Sequence, residues 1–176
     1  MRDVLPAVIV IANIIDFAAA MVQIASGVVQ EKKKILFFQT LQIGMQTVSM
    51  TMLQAYTGAV SNVISVIRNV LAVKEKLGLP AKLLLIAAQL ALTIFFGDGT
   101  IVSWLPFIVC TVYILLMDMK NPIAFKILVT STFVPWVIYY LVYRSYTGAF
   151  FAAATIVANI VSLTRMIRKS GKEAAQ

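Results

Sequence analysis

The sequence Tyr-Thr-Gly-Ala stands at residues 56–59 and again at residues 146–149, each time at the start of a long apolar segment. At the same spacing, Asn69 matches Asn159. Similarity at a fixed offset is typical of a chain built from structural repeats. The motif therefore predicts that two parts of the chain fold alike, and the composition of the surrounding segments indicates what they form.

The 176-residue chain is 61% hydrophobic and only 12% charged, with a mean hydropathy of +0.92. A soluble domain is nearer half apolar and a quarter charged. A soluble chain of this size could not bury so much apolar surface in one core. Helices can cross a lipid bilayer because they satisfy their own backbone hydrogen bonds. The composition therefore predicts an all-α membrane protein.

A transmembrane helix needs about 20 apolar residues, and seven segments meet this need. The predicted spans are residues 4–29, 35–54, 57–73, 79–96, 100–117, 123–143 and 147–167. The fourth has an uncharged run, residues 83–96, that is short for a span. Lys82 precedes this run and would have to extend its side chain to the membrane surface. A re-entrant or tilted helix is the alternative for that segment.

The predicted order is a three-helix bundle in residues 1–76, a linker helix in 77–99 and a second three-helix bundle in 100–176. A single linker helix gives both bundles the same orientation, as in a parallel repeat. In this topology most of the 15 Lys and Arg residues share one side, and only Arg2 and Arg144 fall on the other. Positively charged loops stay cytoplasmic, which predicts an external N-terminus and a cytoplasmic C-terminus with a basic tail.

A carboxylate and a guanidinium lie deep in two of the predicted spans. Asp16 is twelve residues into the first and Arg68 eleven residues into the third, at a depth of about 18 Å for Asp16 by helical rise. An isolated charge near the membrane centre costs several kcal/mol, so we expect the two side chains to pair. Such a pair either locks the bundle or contacts a solute, and the sequence does not decide between these roles.

Uncharged polar residues recur at helical spacing in the first three spans. The first span has Asn13 and Gln23 on the face of Asp16, the second has Gln39, Gln42, Gln46 and Ser49, and the third has Asn62, Ser65 and Asn69 together with Gly58. Intervals of three, four and seven residues place each set on one helix face. Lipid would leave amides unpaired, so these faces are expected to turn inward. The alternative is interhelical hydrogen bonding without a binding site.

Aromatic residues dominate the second bundle, where Trp136 and Tyr139 share a face of the sixth span. Amides opposite aromatic rings suit a neutral, planar or ring-shaped solute, because amides bind its edge and rings stack on its face. The predicted substrate-binding residues are Asp16, Asn62, Arg68, Asn69, Trp136, Tyr139 and Asn159.

The same composition argues against an enzyme. The chain has no histidine and one cysteine, Cys110, so it offers no disulfide within the chain, no metal site and no nucleophile with an adjacent base. We predict no catalytic residues and no cofactor. The basic residues are explained by membrane topology, which leaves no reason to expect a nucleic-acid partner.

Two stretches carry a family resemblance. Residues 56–69, with Asn62, Arg68 and Asn69, resemble the end of the first bundle in the bacterial inner-membrane YgjV family, and residues 136–165, with Gly148, Asn159 and Arg165, resemble the end of its second bundle. The resemblance covers most of the chain and implies a location in the bacterial inner membrane. The three-one-three plan also resembles the SWEET sugar transporters and the PnuC vitamin transporters, which implies a central site between the bundles.

Together these features predict a facilitator of the uniporter type for a small polar metabolite, working by alternating access between two bundles. The partners expected are this small-molecule substrate and the lipid bilayer. The alternative is a receptor or assembly partner of the same fold that does not transport. The sequence does not identify the solute or decide between a monomer and a homo-oligomer.

Overall fold

The computed structural model describes residues 4–28, 32–74, 76–116 and 121–173. In these ranges the chain is all-helical, as predicted, and contains no strand. The helices are α1 (Pro6–Val28), α2 (Lys32–Met52), α3 (Tyr56–Val73), α4 (Leu79–Phe96), α5 (Leu105–Leu116), α6 (Pro122–Val142) and α7 (Tyr146–Glu173), with a 3₁₀ turn at Ile101–Trp104 before α5.

Local sequence signals fix several helix ends. Helix α4 follows Gly78, has Pro80 in its first turn and ends at Gly97, so it has the bounds predicted from the sequence. Helix α6 begins where the Asn121 side chain accepts hydrogen bonds from the N–H groups of Ile123 and Ala124, at 2.9 and 3.2 Å. An Asn cap followed by Pro is a favourable helix start, because Pro has no N–H to leave unpaired.

The fifth predicted span is not one continuous α-helix. The N–H of Ser103 donates to the Thr100 hydroxyl at 3.3 Å, and the Ser103 hydroxyl donates to the Thr100 carbonyl at 2.7 Å. These contacts tighten residues 101–104 into a 3₁₀ turn, and α5 starts at Leu105. In contrast, α7 continues beyond residue 167 to Glu173, so the basic tail prolongs the helix.

The turns before the two Tyr-Thr-Gly-Ala motifs have the same backbone geometry. Gln54 and Arg144, 90 residues apart, both adopt positive φ, at 59° and 61°. In one turn the N–H of Ala55 bonds to the carbonyl of Met50 at 2.8 Å, and in the other the N–H of Ser145 bonds to the carbonyl of Tyr140 at 2.9 Å. Each turn is a left-handed helix C-terminus of the Schellman type, so the hairpins α2–α3 and α6–α7 are closed in the same way.

Helix contacts pair the two ends of the chain. Helix α1 packs on α2 and α7, while α3 packs on α2, α4 and α5. Helix α6 lies between α5 and α7, and α4 contacts α3 and α5. The α1–α7 and α3–α5 contacts therefore join the first three helices to the last three, and α1 does not pack closely on α3.

The described helices have the apolar outer surface of a membrane protein. Leu79–Phe96 and Tyr146–Arg165 are long and apolar enough to cross a membrane, with mean hydropathies of 1.9 and 1.6, and the same search of the described residues finds shorter apolar helices at Pro6–Val22, Ile101–Leu116 and Thr130–Val142. Large apolar side chains point outward, Phe95 being 80% exposed and Leu84 70%. Lys82 does not extend to the surface as expected, because its side chain is buried within the protein.

Candidate functional site

A cavity of about 380 Å³ lies among α1, α2, α3, α5, α6 and α7. None of its lining residues comes from α4. Its polar lining residues are Gln42, Gln46, Asn62, Ser65, Arg68, Thr132 and Thr155. Its aromatic lining residues are Tyr113, Phe133, Trp136, Tyr140 and Phe151. Its volume lies within the range of small-molecule sites. We call it the central cavity.

Equivalent positions of the two hairpins line the central cavity. Gln42 and Thr132 stand 90 residues apart, as do Gln46 and Trp136, and Ser65 and Thr155. This is also the spacing of the two positive-φ turns. The cavity therefore lies between two similar helix hairpins, and the residue types differ: α2 contributes amides where α6 contributes a hydroxyl and an indole ring.

The guanidinium of Arg68 faces the central cavity and is held by two neighbours. Its Nε and Nη2 atoms both donate to Oδ1 of Asn69, at 3.2 and 2.9 Å. Its central carbon lies 4.5 Å from the ring centre of Tyr113 in α5, in cation–π contact. Asn69 is not among the residues that line the cavity, so it positions Arg68 from behind.

The second wall of the cavity is an aromatic stack on α6. The rings of Trp136 and Tyr140 lie nearly parallel, with centroids 5.6 Å apart and an interplanar angle of 27°. A spacing of four residues brings them together on one helix face. The rings of α6 and the amides of Gln42 and Gln46 on α2 line the same cavity.

Tyr139 does not line the cavity but closes it. Its fully buried ring packs with Met50, Tyr140, Tyr143 and small residues of α3 and α7 in one hydrophobic cluster. Tyr140 in this cluster lines the central cavity, whereas Tyr143 lines a second cavity of about 390 Å³ beside the two turns. The cluster therefore separates the two cavities, and we call it the tyrosine plug.

The predicted ion pair between Asp16 and Arg68 is wrong. Oδ2 of Asp16 accepts a hydrogen bond from the hydroxyl of Ser145 in the α6–α7 turn, whereas Arg68 bonds to Asn69. The reason is the packing, because α1 lies against α2 and α7 and does not pack closely on α3. Asp16 and Arg68 lie at similar depths in their predicted spans, but their side chains do not pair.

The polar face of α1 instead holds the start of α7. Oδ1 of Asn13 accepts a hydrogen bond of 2.8 Å from the N–H of Thr147, and its Nδ2 donates to the carbonyl of Arg144 at 3.0 Å. Asn13 and Asp16 are one helical turn apart and so reach the same turn. Asp16 thus joins α1 to the α6–α7 turn and lies outside the cavity lining.

Of the predicted substrate-binding residues, Asn62, Arg68 and Trp136 line the central cavity. Asn69 contacts the lining residue Arg68 and Tyr139 contacts the lining residue Tyr140, but neither lines the cavity itself. Asp16 and the half-buried Asn159 of α7 lie outside the lining. Gln42, Gln46 and Ser65 belonged to the predicted polar stripes. Thr132 and Thr155 stand at the 90-residue offset from Gln42 and Ser65.

Gln89 has a role that the sequence did not reveal. Fully buried on α4, it donates from Nε2 to the hydroxyl of Ser61 at 2.8 Å and to the carbonyl of Pro106 at 3.2 Å. These bonds attach α4 to α3 and α5. Nothing in the spacing of α4 distinguishes this residue, because its partners belong to other helices.

Asp98 ties the loop after α4 to the end of α6. Oδ1 of Asp98 accepts hydrogen bonds from the N–H and hydroxyl of Thr100, at 3.0 and 2.6 Å, and Oδ2 accepts one from the Tyr143 hydroxyl at 2.7 Å. Burial disfavours the charged carboxylate, but these hydrogen bonds outweigh it and lower the pKa of Asp98 to about 2. The loop carboxylate is therefore charged at neutral pH.

Comparisons with known proteins identify the family of the chain. No solved structure and no curated protein matches the chain, so the resemblance to SWEET and PnuC transporters stays a prediction. A family model described as bacterial inner membrane protein, Imp-YgjV, matches residues 10–170. This range includes the described residues that line the central cavity, and it confirms the family inferred from the sequence motifs: the chain belongs to the YgjV family of bacterial inner membrane proteins.

Proposed function

We propose that this protein is a membrane facilitator of the uniporter type, which carries a small polar, ring-shaped metabolite across the bacterial inner membrane. In this proposal all seven helices cross the membrane, as two parallel three-helix repeats joined by α4. The N-terminus is outside and the C-terminus, with its basic tail, is cytoplasmic. The role is not enzymatic and needs no cofactor or metal.

The observation that carries the proposal is which helices line the central cavity. Six helices contribute to its lining and α4 does not, which is the arrangement expected if α4 only links two three-helix units. Equivalent positions of the two hairpins face the same space, and transporters built from repeats have their substrate sites at such interfaces. Polar groups and ring faces together suit a polar, planar solute.

The tyrosine plug supports alternating access over a permanently open channel. Tyr140 of the plug lines the central cavity and Tyr143 of the plug lines the second cavity, and in this proposal the plug blocks the passage of a solute between them. The second cavity is lined by Gln54 and Arg144, the residues of the two turns. Separation of the hairpins at these turns would open the plug.

The test is uptake by proteoliposomes that contain the purified full chain, with a mixed panel of nucleobases, vitamins, sugars and organic acids and mass-spectrometric analysis of the vesicle contents. Trp136→Ala removes one ring from the cavity wall, and we expect it to lower uptake at least tenfold. The matched control is Trp104→Ala in the 3₁₀ turn, because Trp104 does not line the central cavity. Asn159→Ala should also leave uptake unchanged.

Protein-dependent uptake that Trp136→Ala and Trp104→Ala reduce equally would refute the assignment of the central cavity. No uptake of any solute, combined with ligand-induced stabilisation of the folded chain, would favour the receptor role. That stabilisation is measurable because a ligand that binds only the folded state raises its apparent stability.

A further inference from the structure

We infer that the solute is an anion, a planar ring that bears a carboxylate, and that Arg68 binds the carboxylate in the central cavity. This inference rests on the proposed function and changes the class of solute, because the sequence alone favoured a neutral one. The class of solute changes because Asp16 bonds to Ser145 and does not pair with Arg68.

The charge of the central cavity is not balanced by the described residues around it. Arg68 is the charged residue in the described lining. The two acidic side chains that the structure describes lie elsewhere, Asp16 bonded to Ser145 and Asp98 bonded to Thr100 and Tyr143. Arginine stays protonated in proteins. In a membrane interior of low dielectric constant, its charge attracts an anion much more strongly than it would in water.

The geometry of Arg68 suits a bidentate carboxylate. Asn69 takes hydrogen bonds from Nε and Nη2 and so fixes one edge of the guanidinium, while the Tyr113 ring covers a face at 4.5 Å. The other edge, formed by Nη1 and Nη2, can donate two parallel hydrogen bonds to a carboxylate. Asn69 and Tyr113 are positioning residues in this assignment.

The aromatic wall on α6 would bind the ring of the solute. The nearly parallel rings of Trp136 and Tyr140 offer stacking to a flat ring, for which offset or edge contacts are favourable. A solute held by Arg68 at one end and by α6 at the other would span the cavity between α3 and α6. A saturated ring lacks the flat face that this wall can stack on.

Binding is tested by thermal unfolding of the purified full chain in detergent, with three planar carboxylates each compared with its own primary amide. The pairs are benzoate and benzamide, nicotinate and nicotinamide, and orotate and orotamide, with cyclohexanecarboxylate as the non-planar acid. At least one planar carboxylate should stabilise the chain at a concentration at which its amide and the non-planar acid do not. Equal effects of acid and amide, or no effect of any planar carboxylate, would overturn the inference.

Variants then connect the selectivity to Arg68. Arg68→Gln should weaken carboxylate binding about 10- to 100-fold, since it removes charge-assisted hydrogen bonds. Arg68→Lys should restore part of that loss, because it keeps the charge without the planar fork. Arg165→Gln makes the same charge change at an exposed site of α7 and should have no effect. Equal loss in Arg68→Gln and Arg165→Gln would also overturn the inference.

Flux measurements separate this inference from the proposed function. Carboxylate binding that depends on Arg68, without any uptake into proteoliposomes, would support the anion site and refute transport. Uptake of a neutral solute that Arg68→Gln leaves unchanged would support transport and refute the anion site.

Discussion

The hydroxyl of Tyr139 in α6 accepts a hydrogen bond of 2.7 Å from the backbone N–H of Gly58 in α3. The same hydroxyl lies 3.1 Å from that of Thr57. The N–H of Gly58 belongs to the first turn of α3, where no helical carbonyl is available to accept it. One side chain of the second hairpin thus completes the helix start of the first, at the closed end of the central cavity.

Tyr139→Phe should destabilise the fold. The ring would still fill its place, but the N–H of Gly58 would be left buried without a partner, at a cost of about 1–3 kcal/mol. Unfolding of the purified chain by heat or SDS measures the change. Tyr146→Phe, at an exposed position, is the matched control and should unfold like the wild type. An unchanged Tyr139→Phe transition would contradict the structural role of this hydroxyl.

Gly58→Ala should be destabilising although Ala is the better helix former. An added Cβ would lie 2.7 Å from Cε1 of the fully buried Tyr139 and 2.8 Å from the Met50 sulfur. Overpacking of this kind costs about 1–3 kcal/mol. The control is Gly44→Ala in α2, where an added Cβ would have no neighbour within 4 Å.

Gly44→Ala should stabilise its helix by about 0.5–1 kcal/mol. Gly58→Ala should therefore lower the unfolding midpoint of the chain, whereas Gly44→Ala should raise it. A Gly58→Ala variant as stable as the wild type would show that the plug is loosely packed, and a destabilised Gly44→Ala variant would contradict the prediction for α2.

Double-mutant cycles should separate Asp16 from Arg68. Because these residues have different partners on helices that do not pack closely, Asp16→Asn and Arg68→Gln should be additive in unfolding free energy to within about 0.5 kcal/mol. Asp16→Asn and Ser145→Ala should couple by about 0.5–3 kcal/mol, because their side chains are in contact. Rescue of Arg68→Gln by Asp16→Asn would instead reveal the ion pair that the structure lacks.

Asp98 should contribute a pH-dependent part of the stability. Its pKa is lowered from 3.8 to about 2 in the folded chain, so folding favours the charged form. This contribution is complete above the unfolded pKa and is lost as the pH falls from about 4 towards 2. The difference in unfolding temperature between wild type and Asp98→Asn should therefore shrink below pH 4, and a constant difference would exclude this role.

The sequence placed the helices well and their mutual contacts poorly. The apolar pattern and the turn residues gave α4 its bounds and α3 its start to within one residue. The apolar pattern did not predict the 3₁₀ turn before α5, because hydropathy does not report the hydrogen bonds between Thr100 and Ser103. Asn62 was found as a member of a polar face, Trp136 as a member of an aromatic face and Arg68 as a charge deep in its span, and all three line the cavity.

What the sequence determined by itself is the helical class, the positions of the helices and the offset that relates two hairpins, because apolar periodicity and the backbone's own hydrogen bonds act within a single segment. Only the tertiary structure decided which side chains contact one another. Whether Asp16 meets Arg68 or Ser145 depends on which helices lie side by side, and that is set by packing over the whole bundle. That packing leaves the charge of Arg68 without a partner among the described acidic side chains, and the inferred anion follows from it.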